Sequence, residues 1–184
     1  ASDIEAYEDN AVKEPLIAET VVLKGSPVKK TAQNEVFGAT EWTLKNGVKV
    51  IVKPSTLKAD EVRLSAKSLG GASLLSDEDY FTGQLLPAIA AMSGVSKFSA
   101  TDLRKQLSGK TASVNLSVDD YTNGLEGYAS PKDLETMLQL LYLNFTQPRF
   151  SEDDFNTMVK MYKSYVENMT SNPDYIAQEE LIKT

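Results

Sequence analysis

The chain has 184 residues, of which 41% are hydrophobic, and its 26 acidic and 19 basic side chains give a net charge of -7. This length is sufficient for one domain with a buried core. The acidic balance argues against nucleic-acid binding, which requires a basic surplus. The sequence contains no cysteine and no histidine. Disulfides, thiolate zinc sites, serine–histidine triads and the H-E-x-x-H zinc helix are therefore excluded within this chain.

Residues 1–35 are predicted to form a linker or arm, because they mix charges, small residues and prolines without a sustained hydrophobic period. A brief edge strand over 19–23 is the regular element expected there. The N-terminal stretch lacks the basic and apolar regions of a signal peptide, and no apolar run is long enough to predict a membrane span. A cleaved signal would leave the same sequence, so the compartment stays open.

Alternating patterns predict the first strands. Segments 40–44 and 48–52 flank Asn46-Gly47, a pair typical of the type I′ turn of a β-hairpin. A third strand, over 61–69, alternates in the same way. The residues predicted to face inward are Val48, Val50, Val52, Val62, Leu64 and Ala66.

The stretch 77–95 is almost uncharged between Phe81 and Gly94, and its apolar residues cover most of a helical circumference. This pattern predicts a buried central helix. Pro87 requires the helix to begin about one turn earlier, since proline is tolerated in the first turn or at a kink. Gly94 is the predicted C-terminal stop. The apolar residues of this helix are Leu85, Leu86, Ile89, Ala90 and Met92.

Two short motifs could carry chemistry, but each also fits a turn. Gly70-Gly71 follows a strand and could cradle a phosphate, although no Lys-Ser/Thr follows it. Asp119-Asp120 could act in acid–base catalysis, but the pair lies where a hairpin turn over 119–123 favours Asp and Asn. A turn is the favoured interpretation of both motifs.

Helices and strands alternate in the rest of the chain. Ser99 and Asp102 have capping-box spacing and open a short helix, and strands over 110–118 and 124–129 follow. One long helix opens at 130–133, a second is capped at 151–154, and a third runs from Asn172-Pro173 and stops mid-pattern at Leu181. This last feature suggests that the natural chain continues. The predicted buried stripes of the two long helices are Leu134, Met137, Leu138, Leu141 and Phe145, and then Phe155, Met158, Val159, Tyr162, Val166 and Met169.

The order of these elements predicts an α+β fold, with helices packed on one face of a largely antiparallel sheet. Four segments in this order resemble the pitrilysin/insulinase-like zinc metallopeptidases: TLKNGVKVIVKP at 43–54, EVRLSAKSLGG at 61–71, FSATDLRKQLSGKTASV at 98–114 and SPKDLETMLQLLYLNFTQPRFSEDDF at 130–155. The resemblance covers about residues 36–184. It implies a metallopeptidase-like half-domain that is incomplete at its C-terminus, and a connector between two halves in residues 1–35.

Catalytic halves of that family carry H-x-x-E-H on the helix after the third strand, usually introduced by glycine. By this likeness Gly83 begins the motif region, the two histidine positions fall at Leu86 and Ala90, and the glutamate position falls at Ile89. All three positions are apolar, and zinc requires nitrogen, sulfur or oxygen ligands. The family's third ligand, a glutamate on a later helix, corresponds to Glu167 or its neighbourhood, where a surface carboxylate is the favoured interpretation.

The resemblance therefore implies a non-catalytic domain of a two-half zinc metallopeptidase. We expect no catalytic, cofactor-binding or metal-binding residue in this chain, and zinc in the catalytic half. The implied partners are that catalytic half, in the same protein or in a partner subunit, and a peptide substrate. The alternative is a catalytically silent structural or binding module, like the core-type subunits of the superfamily. A self-contained hydrolase that uses Asp or Ser without histidine is the least favoured interpretation.

Overall fold

The structure is a computed structural model, and it describes residues 14–176 and residue 181. It confirms the α+β class, with two antiparallel sheets and helices. No helix in the described part of the chain combines the length and the apolar character that a membrane span requires. The elements are β1 Val28–Asn34, β2 Ala39–Leu44, β3 Lys49–Val52, β4 Val62–Leu69, α1 Tyr80–Ser93, α2 Ala100–Gln106, β5 Ala112–Val118, β6 Thr122–Ala129, α3 Leu134–Thr146 and α4 Glu152–Thr170.

The N-terminal sheet has the order β1-β2-β3, and its β2–β3 hairpin is the one predicted around Asn46-Gly47. The predicted type I′ turn is wrong. Leu44 N donates to Val48 O at 2.8 Å, which closes a three-residue loop, and Gly47 takes a φ of 92° while Asn46 keeps a negative φ. A loop of this length needs only one left-handed residue, and glycine adopts that conformation without a Cβ penalty.

Two further expectations for this sheet are wrong. Residues 19–23 form no strand, and the strand that pairs with β2 is β1, from Val28 to Asn34. Its sequence VKKTAQN lacks apolar alternation, which is common in lysine-rich edge strands. Of the three valines expected to be buried, Val50 is half-buried while Val48 and Val52 are exposed, because no other element packs extensively on this sheet within the described ranges.

The central sheet has the order β4-β6-β5 and is antiparallel throughout. Its registers place the predicted inward residues of β4 on one face with Val114 of β5 and Leu125 of β6. The α3 helix packs on this face, where Met137 Sδ lies 3.4 Å from the position that a Cβ on Gly127 would take. The α1 helix packs against β5, and α4 packs against α1. The predicted one-sided arrangement of helices is therefore confirmed for this sheet.

The main hydrophobic core lies where α1 ends. It consists of Leu16, Val95, Phe98, Leu140 and Leu143, all buried. The first of these residues comes from the predicted arm, so that segment contributes to the core. We call this region the closed end.

The two long helices follow their predictions to different extents. In α3, Met137 is buried as expected, but the other buried residues are Thr136, Leu140 and Leu143. In α4, Met158 is buried as predicted, and Val159 and Met169 are half-buried. Apolar side chains surround most of α3, so its periodicity does not single out the face that contacts the sheet. The predicted stripe residues that are instead exposed are Leu134, Leu138, Phe145, Phe155, Tyr162 and Val166.

The central helix also differs from its prediction. It begins at Tyr80, two turns before Pro87, so the proline lies inside the helix. Proline has no backbone N–H, and the Gly83 carbonyl therefore lacks its usual helical donor. Gly94 ends the helix as predicted, with a φ of 84°. The helix is buried on one side only, because Gln84, Ala88 and Ala91 are exposed while Ile89 is buried.

Candidate functional site

The positions that match the zinc motif lie on α1. Ile89 is buried, with 6% of its surface exposed, and Leu86 and Ala90 are half-buried. Gly83 is also buried, and a Cβ at this position would collide with Leu75 Cδ1. At the positions where the resemblance implies two histidines and a glutamate, the side chains of this helix therefore offer carbon atoms and no nitrogen or oxygen that could ligate a metal.

These residues do not fit a zinc ion. Zinc binds nitrogen, sulfur or oxygen atoms, almost always from three or four side chains. Within residues 14–176, no group of three His, Cys, Asp or Glu side chains could hold a metal. Glu167 lies on α4 and is exposed, and its backbone carbonyl accepts a hydrogen bond from Ser171 Oγ at 2.7 Å. Within the described part of the chain, Glu167 belongs to no group of side chains that could hold a metal.

The second candidate pair, Asp119 and Asp120, serves the β5–β6 turn as predicted. Asp119 Oδ2 accepts from Thr122 Oγ1 at 3.0 Å, and Lys67 Nζ lies 3.5 Å from the same oxygen. Asp120 Oδ1 accepts from the Tyr80 hydroxyl at 3.1 Å. This hydrogen bond to Asp120 raises the pKa of Tyr80. Each carboxylate is thus engaged in holding the turn.

The Gly70-Gly71 segment forms a turn and not a phosphate cradle. The Gly70 N–H donates to Tyr121 O, the Ala72 N–H to Asp119 O and the Ser73 N–H to Asp120 O, at 2.8 to 2.9 Å. A phosphate would need these N–H groups, and all three are already used. Glycine is required at 71 because a Cβ there would lie 2.7 Å from the Thr122 nitrogen.

The structure also shows a groove that the sequence does not predict, because four separate elements line it. It has a volume of about 540 Å³ and runs between the end of α1, α2, the outer edge of β5 and α3. Its walls are mostly apolar, with Leu103 and Leu140 among them, and Arg104 and Asn144 add polar groups. Ser113 Oγ, also at the groove, is buried without a hydrogen-bond partner.

The outer edge of β5 faces this groove. Asp119 N donates to Thr122 O, and Ser130 N donates to Thr111 O. Because alternate residues of an antiparallel strand bond to the neighbouring strand, these two bonds show that the odd-numbered residues of β5 bond to β6. The backbone N–H and C=O groups of the even-numbered Val114 and Leu116 therefore point away from β6. The groove therefore combines an apolar floor with backbone groups able to pair with an extended chain.

Comparisons with known proteins test the family resemblance. No established protein-family profile matches the sequence. The probable zinc protease PqqL of Haemophilus influenzae is 27% identical over 112 residues, which are 61% of this chain and 12% of that protein. A PQQL-like zinc protease of Arabidopsis thaliana is 28% identical over 145 residues, which are 78% of this chain and 12% of that protein.

Solved structures share the fold. The periplasmic protease PqqL of Escherichia coli matches with a TM-score of 0.76 and 17% identity, over 97% of this chain and 19% of its own. A mutant of the ferredoxin protease FusC, in complex with Arabidopsis ferredoxin, matches with a TM-score of 0.74 and 18% identity, over 96% of this chain and 19% of its own. This chain thus spans between an eighth and a fifth of the length of these relatives. The matches confirm the resemblance carried by the sequence motifs: this chain is similar to zinc proteases of the pitrilysin-like type and matches one part of each of them.

Proposed function

We propose that this chain is a non-catalytic domain of a two-half zinc metallopeptidase that degrades peptides. The zinc and the general base are supplied by another half, in the same polypeptide or in a partner subunit. The observation that carries the proposal is that Leu86, Ile89 and Ala90, the positions where the family resemblance implies the zinc motif, are apolar and lie on α1. Side chains of this kind form ordinary core, whereas a buried ligand set without metal would be costly.

The apolar stripe of α4 supports a role within a larger assembly. Phe155, Tyr162 and Val166 recur at helical spacing on this helix and are exposed. An amphipathic helix ordinarily buries such a stripe against another element, and a neighbouring part of a larger protein would cover it.

The groove supports a role in substrate contact. Its backbone groups at Val114 and Leu116 can pair with an extended peptide, and its apolar floor can take the side chains of that peptide. The domain boundaries belong to the same proposal, with residues 1–35 as the connector and residues 36–184 as the inactive domain. This connector packs on the domain, since β1 pairs with β2 and Leu16 lies in the core.

The test is to isolate the native assembly from its source cells with an antibody against this segment. Its mass and its peptide cleavage are then compared with those of the purified 184-residue chain. We expect a species several times heavier whose cleavage of peptides is abolished by a zinc chelator, and no cleavage by the chain alone. A native species near 20.2 kDa without peptidase activity would favour the silent binding module. Zinc-independent cleavage by the chain alone would contradict both readings.

A further inference from the structure

A patch of exposed apolar side chains lies at the end of the central sheet opposite the closed end. Leu69 is 89% exposed, Leu74 79%, Phe81 75% and Tyr121 75%, and Tyr80 is partly exposed beside them. We call these five residues the open-end patch. Their segments are joined by hydrogen bonds, and exposed apolar residues grouped in this way mark interaction sites more often than singly scattered ones do.

The patch is held together by specific contacts. The end of β4 is joined to the β5–β6 turn by the hydrogen bond from Gly70 N to Tyr121 O at 2.9 Å. The beginning of α1 is joined to the same turn by the Tyr80–Asp120 hydrogen bond. The rings of Tyr80 and Phe81 meet edge to face, with their centroids 5.5 Å apart. The side chains therefore project from a fixed frame of strand, turn and helix.

Carboxylates flank Tyr80, Phe81 and Tyr121 in the sequence. Asp77, Glu78 and Asp79 lie just before α1, and Asp119 and Asp120 lie in the β5–β6 turn. All five residues are exposed, and Lys67 is the cation that the structure pairs with this rim, through Asp119. An apolar centre with a charged rim is the usual anatomy of a protein interface, and the sign of the rim selects the partner.

We propose that the open-end patch binds a basic amphipathic segment of a partner protein. Apolar side chains of that segment cover Phe81 and Tyr121, and its lysines or arginines face the carboxylates of the rim. This inference depends on the surface alone and does not require the proposed peptidase role. The chain's own lysine-rich N-terminal sheet, presented by a second copy, is the competing occupant.

The test uses the full 184-residue chain and a fluorescein-labelled synthetic helix of leucine and lysine, with a leucine–glutamate helix of the same length as its counterpart. Binding is followed by fluorescence anisotropy at increasing salt. We expect the leucine–lysine helix to bind and the leucine–glutamate helix not to bind. Increasing salt should weaken the binding of the leucine–lysine helix. The double variant Phe81→Ser/Tyr121→Ser should weaken it roughly tenfold or more. The double variant Asp77→Asn/Glu78→Gln should weaken it about threefold to fivefold.

Two matched controls separate the patch from general properties of the surface. Val36→Ser/Leu57→Ser removes two exposed apolar side chains elsewhere, and Glu152→Gln/Asp153→Asn makes the same change in charge at the start of α4. Neither should change binding more than about twofold. Equal losses in the controls, or equal binding of both synthetic helices, would overturn the proposal. Sedimentation that shows self-association abolished by Phe81→Ser/Tyr121→Ser would assign the patch to a second copy and would also overturn it.

Discussion

The two ends of α1 have opposite surroundings. At its C-terminal end, Ser93 is fully buried, its carbonyl accepts from Arg149 Nε at 2.8 Å and its hydroxyl accepts from Ser151 N at 3.2 Å. At its N-terminal end, Phe81 projects into solvent. One helix therefore connects a closed end that contributes stability with an open end that is available for binding. Stability and recognition should respond to different substitutions.

The largest expected effect is that of Gly94→Ala. Gly94 has a φ of 84°, and a Cβ there would lie 2.6 Å from the Ser99 carbonyl carbon. Backbone strain and collision together should lower the free energy of unfolding by about 3 to 4 kcal/mol, measured by urea denaturation. Gly109→Ala is the matched control, because Gly109 has a φ of 77° but open space around it. It should cost only about 1 kcal/mol; equal losses would show that the contact with Ser99 does not matter.

The second-largest loss of stability is expected on the buried face of α3, and a substitution on the exposed face is its comparison. Leu143→Ala removes a side chain that is 2% exposed, whereas Leu138→Ala removes one that is 46% exposed. The first should cost about 3 kcal/mol through lost burial and a residual cavity, and the second less than about 1 kcal/mol. Both are measured by chemical denaturation. A larger loss for Leu138→Ala would reverse our assignment of the inner face.

Arg149→Ala should have an intermediate effect. It removes the guanidinium that donates to the Ser93 carbonyl at the end of α1, and a hydrogen bond from a charged donor contributes about 1.5 to 3 kcal/mol. The partial exposure of Arg149 lowers this expectation to about 1 kcal/mol. Hydrogen exchange should show faster opening of the last turn of α1. Unchanged exchange there, with a normal overall fold, would contradict this role of Arg149.

Asp133, at the start of α3, should make the stability of the fold sensitive to acid. Hydrogen bonds from the Ser130 hydroxyl, at 2.7 Å, and from the Thr111 N–H, at 2.9 Å, lower the pKa of Asp133 below its usual 3.8. A lowered folded-state pKa contributes stability that is present above about pH 4 and is lost as the pH falls through the folded value. Asp133→Asn should flatten the decline of the urea midpoint below about pH 4. Ser130→Ala keeps the carboxylate and should flatten it only in part.

The smallest effect is expected at the open end. Phe81→Ser removes a largely exposed ring and should change the free energy of unfolding by less than about 0.5 kcal/mol. The same variant should weaken binding of the leucine–lysine helix. A large loss of stability would show that the ring supports the fold, and the contrast between the two ends of α1 would then fail.

Local signals in the sequence predicted local structure well. The capping-box spacing predicted the start of α2, where Ser99 Oγ accepts from Asp102 N at 3.1 Å. The start of α4 was predicted by the same logic, with Ser151 Oγ accepting from Asp154 N at 3.3 Å. These interactions involve residues three positions apart, so nothing distant in the chain is needed to specify them.

Predictions that depended on distant contacts were less successful. The inner face of α3 could not be chosen because apolar residues surround most of that helix, whereas the amphipathic α4 does bury the predicted Met158. The β1 strand exists because β2 offers it hydrogen bonds, which composition does not reveal. The zinc-motif positions Leu86, Ile89 and Ala90 were placed through the family resemblance. The groove and the open-end patch combine residues from several elements, and they become visible only in three dimensions.

Leu16 has a consequence for the order of folding. It packs with Val95, Phe98, Leu140 and Leu143, and so joins a residue that precedes the first sheet to helix α3. During synthesis on the ribosome this leucine emerges long before α3, and its set of partners is incomplete until α3 has been made. Contacts between residues so far apart in sequence form slowly, because a long loop must close first. The closed end should therefore assemble late, and Leu16 should form its contacts after those between neighbouring strands.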